Sequence, residues 1–261
     1  MFTTRNFQLK FLMTSIFISL LFLFSVNPVY GQDKLYWLQG NTTQDIVRYN
    51  LSTGMTEQTR SGILTAGNPA GIVFNSSGTT IHWYNEDFAS GSHFYSLTNA
   101  FGAATSATQE STSANILSTP RYLAYDAVND RIFAVQVSFS GGATSFIRSY
   151  DPDGTNASAN LQSAFSAAFL TSYTGIALDV PNGEMYFADV INGTIVKASM
   201  TTAGGTQTTI INGLGSNVKD IELDLTNRKV YWIDGGTGFN STYSINSADI
   251  DGTLSANNTS A

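Results

Sequence analysis

Residues 220–234, DIELDLTNRKVYWID, decide the fold of this chain. Apolar and polar residues alternate on both sides of a polar turn with Asn227-Arg228 at its tip, and the second half carries the aromatic pair Tyr231-Trp232. Such alternation is typical of a half-buried β-strand, and Asn tolerates the backbone conformations that tight turns need. The stretch therefore predicts a β-hairpin.

The same pattern recurs along the chain. Three further windows align with the first without a gap, namely GIVFNSSGTTIHWYN from Gly71, YLAYDAVNDRIFAVQ from Tyr122 and GIALDVPNGEMYFAD from Gly175, and the second half recurs as DKLYWLQ from Asp33. The position of Trp232 is matched at 37, 83, 134 and 187, so the units repeat every 45 to 53 residues. This period is typical of propeller blades, whereas ankyrin and leucine-rich units are shorter.

Each unit continues beyond its hairpin. A third short strand follows every aromatic pair, and residues 206–211 are typical of a fourth, outer strand. Residues 100–115 and 158–168, which are rich in Ala, Ser and Thr, are predicted to be exposed loops. Four short strands per unit predict an all-β fold, a β-propeller of four-stranded blades. The motif units lie around residues 35–54, 71–103, 122–155, 175–205 and 220–253.

The N-terminus predicts an export signal over residues 1–31. Arg5 and Lys10 precede an apolar run over residues 11–24, and small or medium residues precede Gln32, as in a cleavable signal peptide. The run is shorter than the roughly 20 residues that a membrane span needs, so a retained anchor is the less favoured alternative. We predict propeller repeats over residues 32–261, a secreted or cell-envelope location, and no transmembrane anchor after cleavage.

The composition narrows the possible partners. The net charge is −7 and the pI is near 4.6. Nucleic acid is disfavoured as a partner, because its binding depends on Lys and Arg side chains that neutralise phosphates. The chain contains no Cys, so burial of apolar side chains must stabilise the fold without disulfides.

Several of the repeated motifs resemble a known family. KVYWID ending at Asp234, MYFAD ending at Asp189, the preceding GIALD and the later ADIDGT are similar to the YWTD repeat, the class B repeat of low-density-lipoprotein receptors. The resemblance covers nearly all of residues 32–261 and implies a six-bladed propeller that serves as a ligand-binding or spacer module. The Thr of YWTD is absent from every copy, and no Cys-rich module flanks the repeats. Animal receptor function is therefore not carried over, and a bacterial exported relative fits the signal better.

Polar residues recur at two positions of the repeat. Asp189, Asp234 and Asn85 end the repeated window, where they could surround a metal or ligand, or could bond the backbone of a neighbouring blade. Their recurrence in register favours the second interpretation, since a specific site seldom needs the same residue in each unit. The residues that precede the hairpin turns are predicted to accept turn hydrogen bonds; they are Asn75, Asp126, Asp179 and Asp224.

Other candidate motifs favour structural roles. Residues 151–154 and 249–252 both read Asp-x-Asp-Gly, like the start of a calcium loop, but neither continues with the Gly and Glu that an EF-hand requires. Both are predicted to be tight turns. His82 occupies a position that is usually Tyr, and His93 is the only other histidine, so a zinc site has no support. No nucleophile elbow occurs, and the sequence assigns no catalytic residue, metal ligand, cofactor or ligand-binding residue.

Two functions remain open. The first is an exported non-catalytic propeller that binds or scaffolds a protein or glycan. The second is a propeller enzyme of the lactone hydrolase or lyase type with a metal-assisted site at the central channel. An enzyme would need acids, amides or histidines that converge there from different blades. Only the turn residues recur at that place, so the sequence favours the binding module.

The repeat also predicts which aromatic side chains are buried and which strand edges are unpaired. The aromatic residues Trp37, Trp83, Tyr186 and Trp232 are expected to be buried between blades. At the observed period, residues 32–261 hold fewer units than the six blades that the resemblance implies, so we expect an incomplete ring. The chain enters at the second strand of a unit, which would leave unpaired edges at residues 35–38 and 245–250. Such edges favour self-association.

Overall fold

The computed structural model describes residues 34–39, 45–60, 68–86, 93–99, 107–110, 119–138, 143–166, 172–215, 217–235 and 243–251. The predicted signal peptide lies outside these residues. Within them the regular structure is almost entirely β, with one 3₁₀ turn at Val180–Asn182. No helix in the described ranges has the length and apolar character of a membrane span. The strands in chain order are β1 (Lys34–Gln39), β2 (Asp45–Asn50), β3 (Met55–Arg60), β4 (Asn68–Phe74), β5 (Thr80–Glu86), β6 (His93–Thr98), β7 (Thr108–Gln109), β8 (Thr119–Asp126), β9 (Arg131–Ser138), β10 (Ala143–Tyr150), β11 (Gln162–Ser166), β12 (Tyr173–Asp179), β13 (Glu184–Asp189), β14 (Thr194–Ser199), β15 (Thr208–Ile211), β16 (Val218–Asp224), β17 (Lys229–Asp234) and β18 (Ser244–Asp249).

These strands form five antiparallel sheets that follow one another along the chain. The first sheet is β1-β2-β3 and the fifth is β16-β17-β18, while the second, third and fourth each have four strands in chain order. Each hairpin predicted from the repeated window is present, for example β16 paired with β17 through Glu222 opposite Tyr231. The four-stranded unit of the sequence prediction is therefore confirmed in the three middle sheets.

Neighbouring sheets pack face to face through two kinds of position on the second strand. Trp232 of β17 packs toward the fourth sheet, in a cluster that includes Tyr186 and Ala188. Phe187, the fourth-sheet match of Trp232, packs toward the third sheet with Phe133. Because successive side chains of a strand point to opposite faces, the Trp position of each unit faces the preceding sheet. The Tyr position before it faces the following sheet.

The inner strands approach one another closely at a bulge. The register of β12 against β13 shifts between Thr174 and Ala177, and Gly175 there has a φ of +60°. A Cβ at Gly175 would lie 2.6 Å from the backbone nitrogen of Ile221 in the next sheet. Gly71 repeats this arrangement against Leu123, at 2.6 Å from its Cγ. A missing side chain thus lets consecutive sheets meet near the centre.

The aromatic prediction is right for three residues and wrong for Trp37. Trp83, Tyr186 and Trp232 are 0%, 0% and 3% exposed, whereas Trp37 is half-buried. Trp37 occupies the position that faces a preceding sheet, and the first sheet is the first that the structure describes. Its ring lies near that of Tyr49 of its own sheet, with centroids 6.2 Å apart.

The outer strands correct one expectation and confirm another. Residues 100–115 and 158–168 were expected to be loops, but they contain β7 and β11, which pair with β6 and β10 at the outer edges of their sheets. The predicted outer strand at residues 206–211 is confirmed as β15. In the described part of the chain β1 and β18 each lie at the end of their sheet. Residues 252–261 lie outside the described residues, so the unpaired edges stay a prediction.

A candidate binding face on the fifth sheet

The residues before the hairpin turns have structural roles. Asp126 accepts hydrogen bonds from the backbone nitrogens of Val128 and Asn129 at 2.9 and 3.1 Å. Its second oxygen accepts one from the Asn129 side chain at 2.7 Å. The same Asp-x-x-Asn clamp recurs at Asp179 and Asp224, and Asn75 holds its own turn through the backbone nitrogens of residues 79 and 80. Their predicted turn function is confirmed.

One of these turns is also tied to the next sheet. Arg228, at the tip of the β16–β17 turn with a φ of +54°, donates to the buried carboxylate of Asp179 at 2.9 Å. The other nitrogens of Arg228 make a bidentate contact with Asp251, both at 2.6 Å. These contacts raise the pKa of Arg228 above its ordinary value. The arrangement joins the fourth and fifth sheets and gives the Asp179 carboxylate a structural role.

The polar residues at the end of the second strand serve local structure. Asp189 accepts hydrogen bonds from the backbone and side-chain nitrogens of Asn192, at 3.2 and 2.8 Å. The expectation that it bonds a neighbouring blade is therefore wrong, because the β13–β14 turn brings Asn192 within reach first. Gln136, at the matching position of the third sheet, accepts a hydrogen bond from the Tyr150 hydroxyl at 2.6 Å. Asn85 is buried and Asp234 is half-buried at this same position.

The Asp-x-Asp-Gly stretches and His82 fit their structural interpretations. The backbone nitrogen of Gly154 donates to the carbonyl of Asp151 at 2.8 Å, which closes a tight turn. The Asp151 carboxylate pairs with Arg131 at 2.5 Å. In the second stretch Asp249 pairs with Lys229 at 2.5 Å, while Gly252 lies outside the described residues. His82 is buried and stacks on Tyr125 with ring centroids 6.4 Å apart, and burial lowers the pKa of its imidazole.

The outward face of the fifth sheet has a different character. Its main contacts with other described strands, β12 and β13, lie on the Trp232 side. On the opposite side Tyr231 and Ile245 are 39% and 55% exposed. A shallow cleft of about 90 Å³ opens there beside Ile233. We call the group of Asp220, Glu222, Tyr231, Ile233 and Ile245 the fifth-sheet face.

Two carboxyl groups on this face have strongly raised pKa values. Desolvation, together with the nearby charge of Glu222, raises the pKa of Asp220 to about 8. Desolvation raises the pKa of Glu222 to about 7. Each accepts only backbone hydrogen bonds that oppose this rise, from Ile221 to Asp220 at 2.9 Å and from Leu223 to Glu222. Perturbed carboxyls beside exposed apolar side chains mark a candidate binding site.

Asp220 and Glu222 differ from the residues at the same two repeat positions of the other units. In the fourth sheet these positions of the inner strand face the next sheet. Gly71, Tyr122 and Gly175 match Asp220, and the residues that match Glu222 are Val73, Ala124 and Ala177. No acid occupies either position in the other three windows. This departure is visible in the aligned windows, but the predictions rest on residues that the units share and therefore do not include it.

No cluster of three or more His, Cys, Asp or Glu side chains suited to a metal ion occurs among the described residues.

Comparison with solved structures shows the fold class. A nidogen–laminin complex matches with a TM-score of 0.63 and 17% identity over 85% of this chain and 73% of the other. The calcium-binding protein regucalcin from Agrobacterium tumefaciens matches with a TM-score of 0.58 and 11% identity, over 86% and 70%. A gluconolactonase from Xanthomonas campestris matches with a TM-score of 0.55 and 14% identity, over 84% and 70%. These likenesses show the fold, and the chain is an all-β propeller, as the repeat predicted.

No protein-family model and no curated protein matches the sequence. The propeller fold is shared by a nidogen structure and by gluconolactonase and regucalcin structures.

Proposed function

We propose that this chain is an exported, non-catalytic propeller that binds a protein ligand outside the cytoplasm and is related to the YWTD repeats. The observation that carries the proposal is the fifth-sheet face. Its exposed Tyr231 and Ile245 and its two desolvated carboxyls form a surface of mixed apolar and acidic character. Aromatic and apolar side chains of this kind supply the core of protein–protein contacts.

The size of the cleft favours a macromolecular ligand. Small-molecule sites enclose about 300–1,000 Å³ and bury most of their ligand, whereas the cleft on this face has about 90 Å³. A sheet surface with a shallow cleft suits a partner that lies across it. Export and the YWTD relationship rest on the signal-like N-terminus and on the KVYWID and MYFAD motifs.

An enzyme of the lactone hydrolase or lyase type is the second candidate, because gluconolactonase and regucalcin structures share the fold. A thermal-shift screen with calcium and a glycan panel, followed by a lactone hydrolysis assay with and without calcium, separates the two. We expect no calcium-dependent rise in melting temperature and no hydrolysis above the blank. A large calcium-dependent rise together with lactone turnover would overturn the binding proposal, since a ligand that binds only the folded state raises its stability.

A further inference from the structure

The interfaces between sheets show what kind of surface covers a face like this one. Tyr186 and Ala188 of the fourth sheet are fully buried in the cluster that contains Trp232 and Ile221 of the fifth. Tyr231 and Ile233 occupy the same two repeat positions one sheet later. The fifth-sheet face therefore continues the geometry of an established interface and is shaped for contact with polypeptide.

The chemistry of the face differs from that of the interfaces it continues. The fourth sheet presents Gly175 and Ala177 to its neighbour, and the fifth sheet has Asp220 and Glu222 at those positions. The Asp220 side chain lines the cleft, and its Oδ1 lies on the side of the fourth sheet, 3.0 Å from where a Cβ on Gly175 would be. An ionised carboxylate covered by apolar side chains costs several kcal/mol unless a cation accompanies it. A purely apolar partner would thus bind poorly, and the partner has to supply positive charge.

The described positive charges near Asp220 and Glu222 do not neutralise the two carboxylates. Lys229 lies on the same face of β17, but its ammonium pairs with Asp249 at 2.5 Å. Among the described groups no positive charge lowers the pKa of either carboxyl. The other titratable or charged groups on and beside this sheet are Lys219, Asp224, Arg228, Tyr231, Asp234, Tyr243 and Asp251, and those across its interface with the fourth sheet are Asp179, Glu184 and Tyr186. Lys219 is exposed and precedes Asp220 in β16, and it is not among the causes that set the pKa of Asp220.

From this placement we infer that the fifth-sheet face docks an extended polypeptide segment in which Lys or Arg side chains alternate with apolar ones. The apolar side chains cover Tyr231, Ile233 and Ile245, and the cations lie against Glu222 and the part of Asp220 that lines the cleft. The inference rests on the proposed binding function and specifies the chemistry of its ligand. Because a cation favours the ionised carboxyls, docking releases protons and strengthens as the pH rises through the range in which the two groups titrate.

A titration with a defined probe tests this inference. The purified chain is titrated calorimetrically with a short, end-capped peptide of alternating lysine and valine, at about pH 6 and about pH 9, on either side of the carboxyl titration. Two buffers of different ionisation enthalpy report the protons released. We expect saturable binding that is about tenfold tighter at the higher pH, with proton release near neutral pH.

Matched variants locate the effect. Glu222→Gln and Asp220→Asn should each weaken binding at the higher pH by about tenfold, because each removes one partner of a desolvated charge pair. Asp153→Asn removes the same charge from an exposed turn of the third sheet and should leave the affinity unchanged. A peptide of alternating glutamate and valine should not bind.

The inference is wrong if the lysine peptide does not bind, if its affinity is the same at both pH values, or if Asp153→Asn weakens it as much as Glu222→Gln does. It is also wrong if the glutamate peptide binds equally well. If the lysine peptide does not bind and the calcium and lactone assays are negative, the docking inference is wrong and the proposed binding function is not contradicted. Lactone turnover would instead remove the proposed function on which it rests.

Discussion

At the scale of single residues, one position of the repeat has different surroundings at different places in the molecule. Trp232 is 3% exposed against the fourth sheet, whereas Trp37 is half-buried at the matching position of the first sheet. The energetic value of the same side chain therefore depends on whether a preceding sheet covers it. A comparison of the two tryptophans measures how much an interface between sheets contributes.

We expect Trp232→Ala to lower the free energy of unfolding by about 3–5 kcal/mol, the cost of a cavity left by a buried tryptophan. Trp37→Ala should cost clearly less, since part of its side chain is already in water. Denaturant unfolding of the two variants beside the wild type gives both values. Equal losses would show that the two faces are covered to the same extent.

The raised pKa values also predict how stability depends on pH. The unfolded chain ionises Asp220 near 3.8, and the folded chain does so at about 8. Between these values the unfolded state holds fewer protons, so the contribution of this group to stability is present at low pH and is lost as the pH rises. Glu222 acts in the same direction, up to about pH 7.

Asp220→Asn should therefore raise the melting temperature near pH 8 and flatten its decline between about pH 4 and pH 8. Asp153 provides the control of opposite sign, because hydrogen bonds from Thr155 lower the pKa of its carboxyl. Asp153→Asn should give no gain near pH 8. Differential scanning fluorimetry across this range measures both, and a parallel shift of the Asp220→Asn curve at every pH would contradict the assignment.

At the scale of strands and turns, two glycines separate the cost of a close contact at the β12 bulge from the cost of a left-handed backbone. Gly175 and Gly183 have similar φ values, +60° and +66°, but only Gly175 has atoms of the next sheet where a Cβ would lie. Gly183→Ala should cost about 1 kcal/mol for the left-handed backbone. Gly175→Ala should cost about 1–3 kcal/mol more, because Ile221 has to move. Urea unfolding compares them, and equal costs would mean that the sheets adjust freely.

The sequence predicted the elements with a strong local pattern and missed those that depend on their neighbours. The hairpin of β16 and β17 follows from alternation around Asn227. The outer strand β11 (Gln162–Ser166) has few β-branched or large apolar residues, and it is a strand because β10 offers it an edge to pair with. The fifth-sheet face was missed for a related reason. Asp220 is unusual only when compared with Gly71, Tyr122 and Gly175 at its repeat position.

At the scale of the whole molecule, the strands that end the first and fifth sheets predict self-association. The strands β1 and β18 end their sheets in the described part of the chain, and Ile245 of β18 is 55% exposed. We expect the purified chain to associate as its concentration rises, and Ile245→Lys to reduce this, because lysine on an edge strand disfavours pairing with other chains. Ile191→Lys is the control, since Ile191 is 48% exposed in a turn. Sedimentation velocity distinguishes them, and similar behaviour of both variants would contradict an edge contact.

Because the Trp and Tyr positions point in opposite directions, each sheet has one side that fits the preceding sheet and one that fits the following sheet. This difference between the two sides affects how such a protein can change by duplication of a unit. A unit copied between the third and fourth sheets would meet a side of the right kind on both flanks, so units could be gained or lost inside the array with little redesign. The fifth unit is the exception. A duplicate inserted after it would cover Asp220 and Glu222 with apolar side chains, and it would become tolerable only after both acids had been replaced by small neutral residues, as Gly175 and Ala177 already are.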